Sequence, residues 1–271
     1  MNAVVMLHAS ASSARQWQAL GELLRASGRE VHAIDLFGHG RREAWQGVAP
    51  MRLADEAAPI ERLLEGLGGA HLVGHSYGGA VALKLASRRP SLVRSLVVYE
   101  PVMFSLLRAD PDSQPLLQRV VGVAEAMRAS VAQGRPDDAA RRFIDLWSGE
   151  GTWAALAPER QEVFAARMPV VLQHFDALFG DPFSAADLAR LSMPLRLLFG
   201  ARTVPAARRI ASLIHAALPG ARCKRLDGMG HMGPVTHAPA FNRHLLELLA
   251  AGQPVRATGE RSASLAAAGA L

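Results

Sequence analysis

The chain has 271 residues, half of them hydrophobic and a fifth charged, a composition typical of a globular protein with a sizeable core. Thirty basic and 24 acidic residues give a formal charge of +6, yet no dense arginine run is interleaved with aromatic residues, so nucleic-acid binding is not indicated. The single cysteine excludes an intrachain disulfide, and neither a signal peptide nor a membrane-spanning apolar run is evident. We expect a cytoplasmic protein with no membrane partner.

Strand-like and helical runs alternate along much of the chain, which is typical of a parallel sheet covered by helices on both faces. The predicted strands lie near Ala3–His8, Glu30–Asp35, Ala70–His75, Arg94–Glu100, Leu195–Gly200 and Arg222–Leu226. The predicted helices are Ala14–Ala26, Arg52–Leu67, Tyr77–Arg88, Ala206–Leu218 and Ala238–Ala251. The pattern predicts an α/β fold with a mostly parallel, doubly wound sheet of about six strands.

The interval 101–191 breaks this alternation, because it combines helical periodicity, several prolines and many large apolar residues. We interpret it as a helical cap over the strand ends, inserted into a core made of residues 1–100 and 192–251. Most of its aromatic residues should form the cap's own core, whereas a few should face a pocket. The substrate contacts predicted from the cap and the strand-end loops are Trp17, Met103, Phe104, Trp147 and Met232. Residues 252–271 begin with small and polar residues and end in an alanine-rich stretch, and we expect them to be disordered or loosely attached.

A predicted strand and a predicted helix meet at Gly74-His75-Ser76-Tyr77-Gly78-Gly79. A serine on such a sharp turn is exposed at the top of the sheet, and the glycines let neighbouring backbone pass close to it. The helix that follows favours developing negative charge at the same place. The sequence therefore predicts that Ser76 is a nucleophile; the alternative is a glycine-rich loop with a solvated serine.

A serine hydroxyl needs a base, and ten histidines are available. We predict His231 as the base, because it lies in a glycine-rich loop directly after the last predicted strand and can reach the strand ends; the alternative is a surface-loop histidine. His71 and His75 have the spacing of a metal pair but lack further ligands, and His75 is better explained as part of the serine turn. His39 is interpreted as a turn residue at the rim.

A carboxylate should orient the histidine. The loop after Leu195–Gly200 holds Thr203 and no carboxylate, whereas Glu100 ends an apolar strand directly before a proline. We predict Glu100 as the acid, with Asp227 as second choice, and a purely structural strand-end carboxylate as the alternative. The backbone N–H groups of Tyr77 and Ser10 are predicted to bind the oxyanion of an acyl-transfer intermediate.

Together these motifs resemble the α/β-hydrolase superfamily over nearly the whole chain up to about residue 251. The matching segments are His8-Ala9-Ser10 with Trp17, Asp35-Leu36-Phe37-Gly38-His39-Gly40, the Ser76 turn and Gly230-His231. The chain departs from the family at Ala9, where glycine is usual, and at Thr203, where many members carry the acid. It also starts at what would be the third family strand. Glu100 is placed as in the haloalkane dehalogenase branch, but that branch uses an aspartate nucleophile.

The leading hypothesis is a serine hydrolase that cleaves an ester, thioester or related carbonyl bond of a small molecule, without metal or organic cofactor. Hydrolysis of a carbon–carbon bond and cofactor-free peroxyacid formation are compatible with the same residues. A ligand-binding protein on a hydrolase scaffold, with little turnover, is the alternative from another class. An acyltransferase, which prefers an alcohol or amine acceptor over water, is also open.

Overall fold

A computed structural model describes residues 3–250, and the predicted C-terminal tail lies outside them. Six parallel strands form one sheet in the order β2-β1-β3-β4-β5-β6. The strands are β1 Val4–Leu7, β2 Val31–Ile34, β3 Ala70–His75, β4 Val93–Tyr99, β5 Leu195–Gly200 and β6 Arg222–Leu226. The predicted fold class is confirmed, and each strand lies within one residue of its predicted limits.

Helices flank the sheet on both faces. They are α1 Gln18–Ala26, α2 Leu53–Gly66, α3 Tyr77–Arg88, α4 Phe104–Ala109, α5 Gln114–Ala132, α6 Pro136–Ser148, α7 Pro158–Gly180, α8 Ala185–Ala189, α9 Pro205–Ala217, α10 Gly233–Thr236 and α11 Ala238–Ala250. The predicted first helix begins with a turn of 3-10 helix at Ala14–Trp17, and the short α10 was not predicted. Among residues 3–250, no helix combines the length and the apolar character needed to cross a lipid bilayer.

Alternate residues of the central strands supply two separate apolar cores. In β1, Val5 and Leu7 belong to the larger core, whereas Val4 and Met6 face the smaller one. This division follows from the two-residue repeat of a strand, which directs successive side chains to opposite faces. Helices α1 and α11 cover the smaller core, and α2, α3 and α9 cover the larger one. Both faces of β1 and β3 are thus buried, which explains their continuous apolar sequences.

Five helices, α4 to α8, separate β4 from β5 in the chain. Their apolar side chains continue the larger core, so this helical segment shares one interior with the sheet. The segment lies beside the carboxyl ends of the strands, because its His174 contacts Ser10 in the loop after β1 and Tyr77 at the start of α3. In the sheet, β1 has β2 on one side and β3 on the other, so the direction in which strands are added reverses after β2. Such a reversal leaves a crevice between neighbouring loops, where open α/β sheets bind ligands.

Candidate active site

The turn between β3 and α3 holds Ser76 in a backbone conformation that is rare for a residue with a side chain. Its φ is 54° and its ψ is −116°. The turn can be this tight because Gly78 lies against β1: a β-carbon there would be 2.5 Å from the carbonyl oxygens of Leu7 and His8. The Gly78 N–H also donates to the His8 carbonyl at 3.1 Å. The strained conformation therefore depends on packing of the turn against the neighbouring strand.

Ser76, His231 and Glu100 form one continuous hydrogen-bonded chain. Ser76 Oγ lies 2.9 Å from Nε2 of His231, and Nδ1 of His231 lies 2.7 Å from Oε2 of Glu100. The three residues are 6, 3 and 0% exposed. The structure thus brings together the predicted nucleophile, base and acid from three separate loops. With the proton on Nδ1, the histidine presents a lone pair to the serine hydroxyl, which is the tautomer that a general base requires.

The Glu100 carboxylate is held by two further donors. The Gly200 N–H donates to Oε1 at 2.7 Å, and the Thr203 hydroxyl donates to Oε2. Glu100 itself has a positive φ of 46°, a strained conformation that turns its side chain back toward the loop after β5. The threonine that replaces a carboxylate in the sequence pattern therefore contacts the carboxylate that is present. Sequence reasoning missed this role of Thr203.

Asp227, the second choice for the acid, lies on the surface. Its side chain is 88% exposed and pairs with Arg225 at 3.5 Å. In this position it takes no part in the hydrogen-bonded chain to Ser76.

Two donors from neighbouring strands hold the backbone of the His231 loop. The Tyr99 hydroxyl donates to the Gly230 carbonyl at 2.6 Å, and Nε2 of His75 donates to the His231 carbonyl at 2.8 Å. Burial and the nearby His231 keep the pKa of His75 well below its usual value, so the His75 ring is neutral. Trp147 of α6 stacks on the His231 ring with 4.4 Å between centroids. Residues of the sheet thus hold the loop that carries His231, and Trp147 of the helical segment covers its imidazole.

Two backbone N–H groups beside Ser76 are free to bind a ligand. In the loop after β1, the Ala9 N–H donates to Gln16 Oε1 and the Ala11 N–H donates to His39 Nε2. The N–H of Ser10, which lies between them, has no acceptor within residues 3–250. The N–H of Tyr77, the first residue of α3, likewise finds none in that range. These are the two predicted oxyanion donors, and the helix N-terminus adds its partial positive charge.

One face of α7 is docked on the loops that follow β1 and β2. Arg167 donates to the Ala11 carbonyl, and His174 Nδ1 lies 2.8 Å from Ser10 Oγ. Between them, Val170 packs so closely on Gly38 that a β-carbon at Gly38 would be 2.5 Å away. The spacing of three and four residues predicts a shared helix face but not its partner. Sequence reasoning missed both His174 and Arg167.

His39 is another residue that the structure places differently from its prediction. It is buried rather than at the rim, and its ring stacks on His174 with 4.8 Å between centroids. Its Nδ1 donates to the Phe37 carbonyl and its Nε2 accepts from Ala11, so the ring joins the loops after β1 and β2. The turn motif at residues 38–40 is therefore an internal support of the site.

A narrow pocket with a cavity volume of about 10 Å³ opens above Ser76. Its polar lining is Ser10, Ser76 and His174, and its apolar lining is Val102, Phe104, Phe143, Trp147, Phe175 and Leu178. Of the predicted substrate contacts, Phe104 and Trp147 are in this lining. The other three lie elsewhere: Trp17 packs on Phe241 in the smaller core, Met103 is fully buried, and Met232 is half-buried outside the lining.

Within residues 3–250, no three side chains of histidine, cysteine, aspartate or glutamate are grouped as metal ligands. His71 and His75 point to different partners: Nδ1 of His71 lies 2.7 Å from the Ser95 hydroxyl, and Gln16 donates to Nδ1 of His75. Each ring is thus used inside the fold.

Comparison with known proteins agrees with this architecture. A family model described as "Alpha/beta hydrolase family" matches residues 4–244, which is most of the chain. The protein belongs to the α/β hydrolase family. The resemblance drawn from its sequence motifs is thereby confirmed, and the protein is an enzyme of the α/β hydrolase class.

Two curated relatives of this α/β hydrolase are named pimeloyl-[acyl-carrier protein] methyl ester esterase. The one from Neisseria meningitidis serogroup B is 30% identical over 220 residues, 78% of this chain and 79% of its own. The one from Klebsiella pneumoniae is 30% identical over 260 residues, 90% and 92% of the two chains. Among solved structures, an esterase from Exiguobacterium antarcticum has a TM-score of 0.72 at 19% identity and covers 92% of both chains. At that identity the likeness concerns the fold.

Buried groups around the site should make folding sensitive to acid. Burial lowers the pKa of His8 to about 3, and it holds those of His75 and His174 well below the usual 6.5. Below pH 6.5 the unfolded chain therefore binds more protons, and stability is lost as the pH falls. Burial raises the pKa of Glu56 from 4.5 to about 7, which acts in the opposite direction between pH 7 and 4.5.

From pH 7 to pH 5, His8 alone should lower the free energy of unfolding by about 2 kcal/mol, which Glu56 offsets by about 2 kcal/mol. The lowered pKa values of His75, His174, His71 and His39 add to the loss, so we expect a lower free energy of unfolding at pH 5 than at pH 7 in urea unfolding experiments. The variant His174→Phe keeps a ring against Tyr77 and should lose part of this pH dependence. Equal stability at both pH values would contradict the assignment of neutral buried histidines.

Proposed function

We propose that the protein is a serine ester hydrolase that works through an acyl-enzyme, with residues 101–191 as its cap. The observation that carries this proposal is the unbroken chain from Glu100 through His231 to Ser76, beside two unpaired backbone N–H groups. The names of the Neisseria and Klebsiella relatives support cleavage of an ester. A small-molecule substrate and a cytoplasmic location, without metal or cofactor, complete the proposal.

In the first half-reaction, His231 takes the proton of Ser76 as Oγ attacks the ester carbonyl carbon. The carbonyl oxygen becomes an oxyanion, which the N–H groups of Ser10 and Tyr77 stabilise. Glu100 keeps the imidazole in the required tautomer and stabilises it while it is charged. His231 then gives the proton to the departing alcohol, and the acyl group remains on Ser76.

In the second half-reaction, water replaces the alcohol. His231 removes a proton from the water as it attacks the acyl-enzyme, and the carboxylic acid leaves when the proton returns to Ser76. Hydrolysis of a carbon–carbon bond or transfer to peroxide would begin at the same serine. Turnover measured with an ester, with a carbon–carbon substrate and with peroxide as the acceptor separates these three reactions.

The test of the nucleophile is labelling with a fluorophosphonate, read by intact mass. We expect one adduct on the wild type and none on Ser76→Ala, because phosphonylation requires an activated hydroxyl. Ser10→Ala is the matched comparison, because Ser10 carries the other serine hydroxyl in the pocket lining. This variant should still form the adduct on Ser76. No adduct on folded wild type, or an adduct on Ser76→Ala, would contradict the proposal.

A further inference from the structure

The pocket above Ser76 has no charged group in its lining. Its walls are apolar apart from two serine hydroxyls and the His174 imidazole. His174 is buried beside His39 and His8, which keeps its pKa well below the usual value and its ring neutral. A ligand that enters this space therefore meets aromatic and aliphatic surface with only neutral hydrogen-bonding groups.

Arginines of the surrounding helices are bound outside the pocket. Arg108 of α4 donates to the Phe179 carbonyl, Arg142 of α6 pairs with Asp138, and Arg167 of α7 donates to the Ala11 carbonyl. None of the three lines the pocket. An anionic group in the pocket would thus lose its hydration without gaining a cationic partner, which is strongly unfavourable.

The lining also indicates which half of an ester the pocket receives. Ser10 and Ser76 line it, whereas His231 does not. The leaving alcohol must approach His231 to be protonated, and the carbonyl oxygen must approach the Ser10 and Tyr77 N–H groups. The space beside Ser10 therefore suits the acyl group. This step rests on the proposed function.

We propose that the pocket selects short, uncharged, apolar acyl groups and rejects acyl groups that end in a carboxylate. The size follows from the narrowness of the pocket, because its cavity volume of about 10 Å³ is about the room that one water molecule needs, and such a space favours a short acyl chain.

The test compares p-nitrophenyl butyrate with the p-nitrophenyl half-ester of succinate, which differ only by a terminal methyl or carboxylate. We expect kcat/KM to be at least about 100-fold higher for the butyrate, because the buried carboxylate finds no partner. The net charge of +6 would attract the anionic ester, so long-range electrostatics would work against this preference. An equal or higher kcat/KM for the succinate ester would overturn the proposal.

Phe143→Arg adds a cation to the lining, and we expect it to reduce the preference for butyrate at least about tenfold. Val163→Arg is the matched control, because it adds the same charge at a position on α7 that is 46% exposed, and it should retain the preference. If Phe143→Arg does not fold, the comparison of the two esters on the wild type still tests the proposed acyl selectivity.

Fluorophosphonate labelling of Ser76 distinguishes the two proposals. If Ser76 is labelled but the enzyme prefers the succinate ester, the assignment of Ser76 as nucleophile holds and the proposed acyl selectivity is overturned. Folded enzyme that neither reacts with the probe nor turns over either ester would overturn both.

Discussion

Replacing Glu100 with glutamine is expected to lower kcat about 10³–10⁴-fold, with little change in folding. Three donors converge on the carboxylate: the Gly200 N–H, the Thr203 hydroxyl and Nδ1 of His231. An amide has one oxygen and one NH₂ group, so at least one of these donors must face another donor. When the NH₂ group faces His231, the imidazole proton moves to Nε2, where the ring cannot accept the proton of Ser76.

Two variants serve as controls, with kcat on p-nitrophenyl butyrate as the measurement. Thr203→Val keeps the shape of the side chain and removes one of three donors, so we expect less than about a tenfold loss. Asp227→Asn changes an exposed carboxylate and should leave kcat unchanged. Wild-type activity of Glu100→Gln, or a large loss in Asp227→Asn, would show that Glu100 is not the acid.

The second large effect concerns stability. Gly78→Ala should lower the free energy of unfolding by more than about 4 kcal/mol or prevent folding. The added methyl group would lie 2.5 Å from the carbonyl oxygens of Leu7 and His8. Both belong to the backbone of β1 and its loop, which no rotamer change can move. Relief requires separation of β1 from the Ser76 turn, and this also displaces Ser10.

The matched control for Gly78→Ala is the same substitution at Gly122, in the middle of α5. A β-carbon there has no neighbour within 4 Å, so the variant should be as stable as the wild type or up to about 1 kcal/mol more stable. Urea unfolding of the two variants gives the comparison. A Gly78→Ala protein with wild-type stability would mean that the turn is not packed against β1 as the structure shows.

Glu100 shows how much of the active site could be predicted from the sequence. A charged residue that closes an apolar strand before a proline indicates a partner, and this pattern singled out Glu100. It could not reveal that Thr203 and Gly200 hold the carboxylate, because those contacts depend on the alignment of β5 beside β4. Considered only as a missing carboxylate, the same threonine would favour a protein with little turnover.

The substrate contacts illustrate the opposite case. Trp17 lies in a segment next to the predicted oxyanion loop, yet its ring is in the smaller core on the other side of the sheet. Phe104 and Trp147 line the pocket, but so do Phe143 and Phe175, which the apolar pattern could not distinguish from core residues. Periodicity shows that a helix has an apolar face; it does not show what that face contacts.

Patterns in the amino-acid sequence were sufficient to predict the fold class, the strand limits and the location of Ser76, Glu100 and His231 at strand ends. They were sufficient because strand alternation, glycine turns and the parallel topology are local patterns, and parallel strands end at one edge of a sheet. The pocket lining, the contact between His174 and Ser10 and the donors to Glu100 could be seen only in the folded structure. Ser10 and His174 are 164 residues apart, and such a contact depends on how α7 docks on loops whose positions are set by the packed sheet.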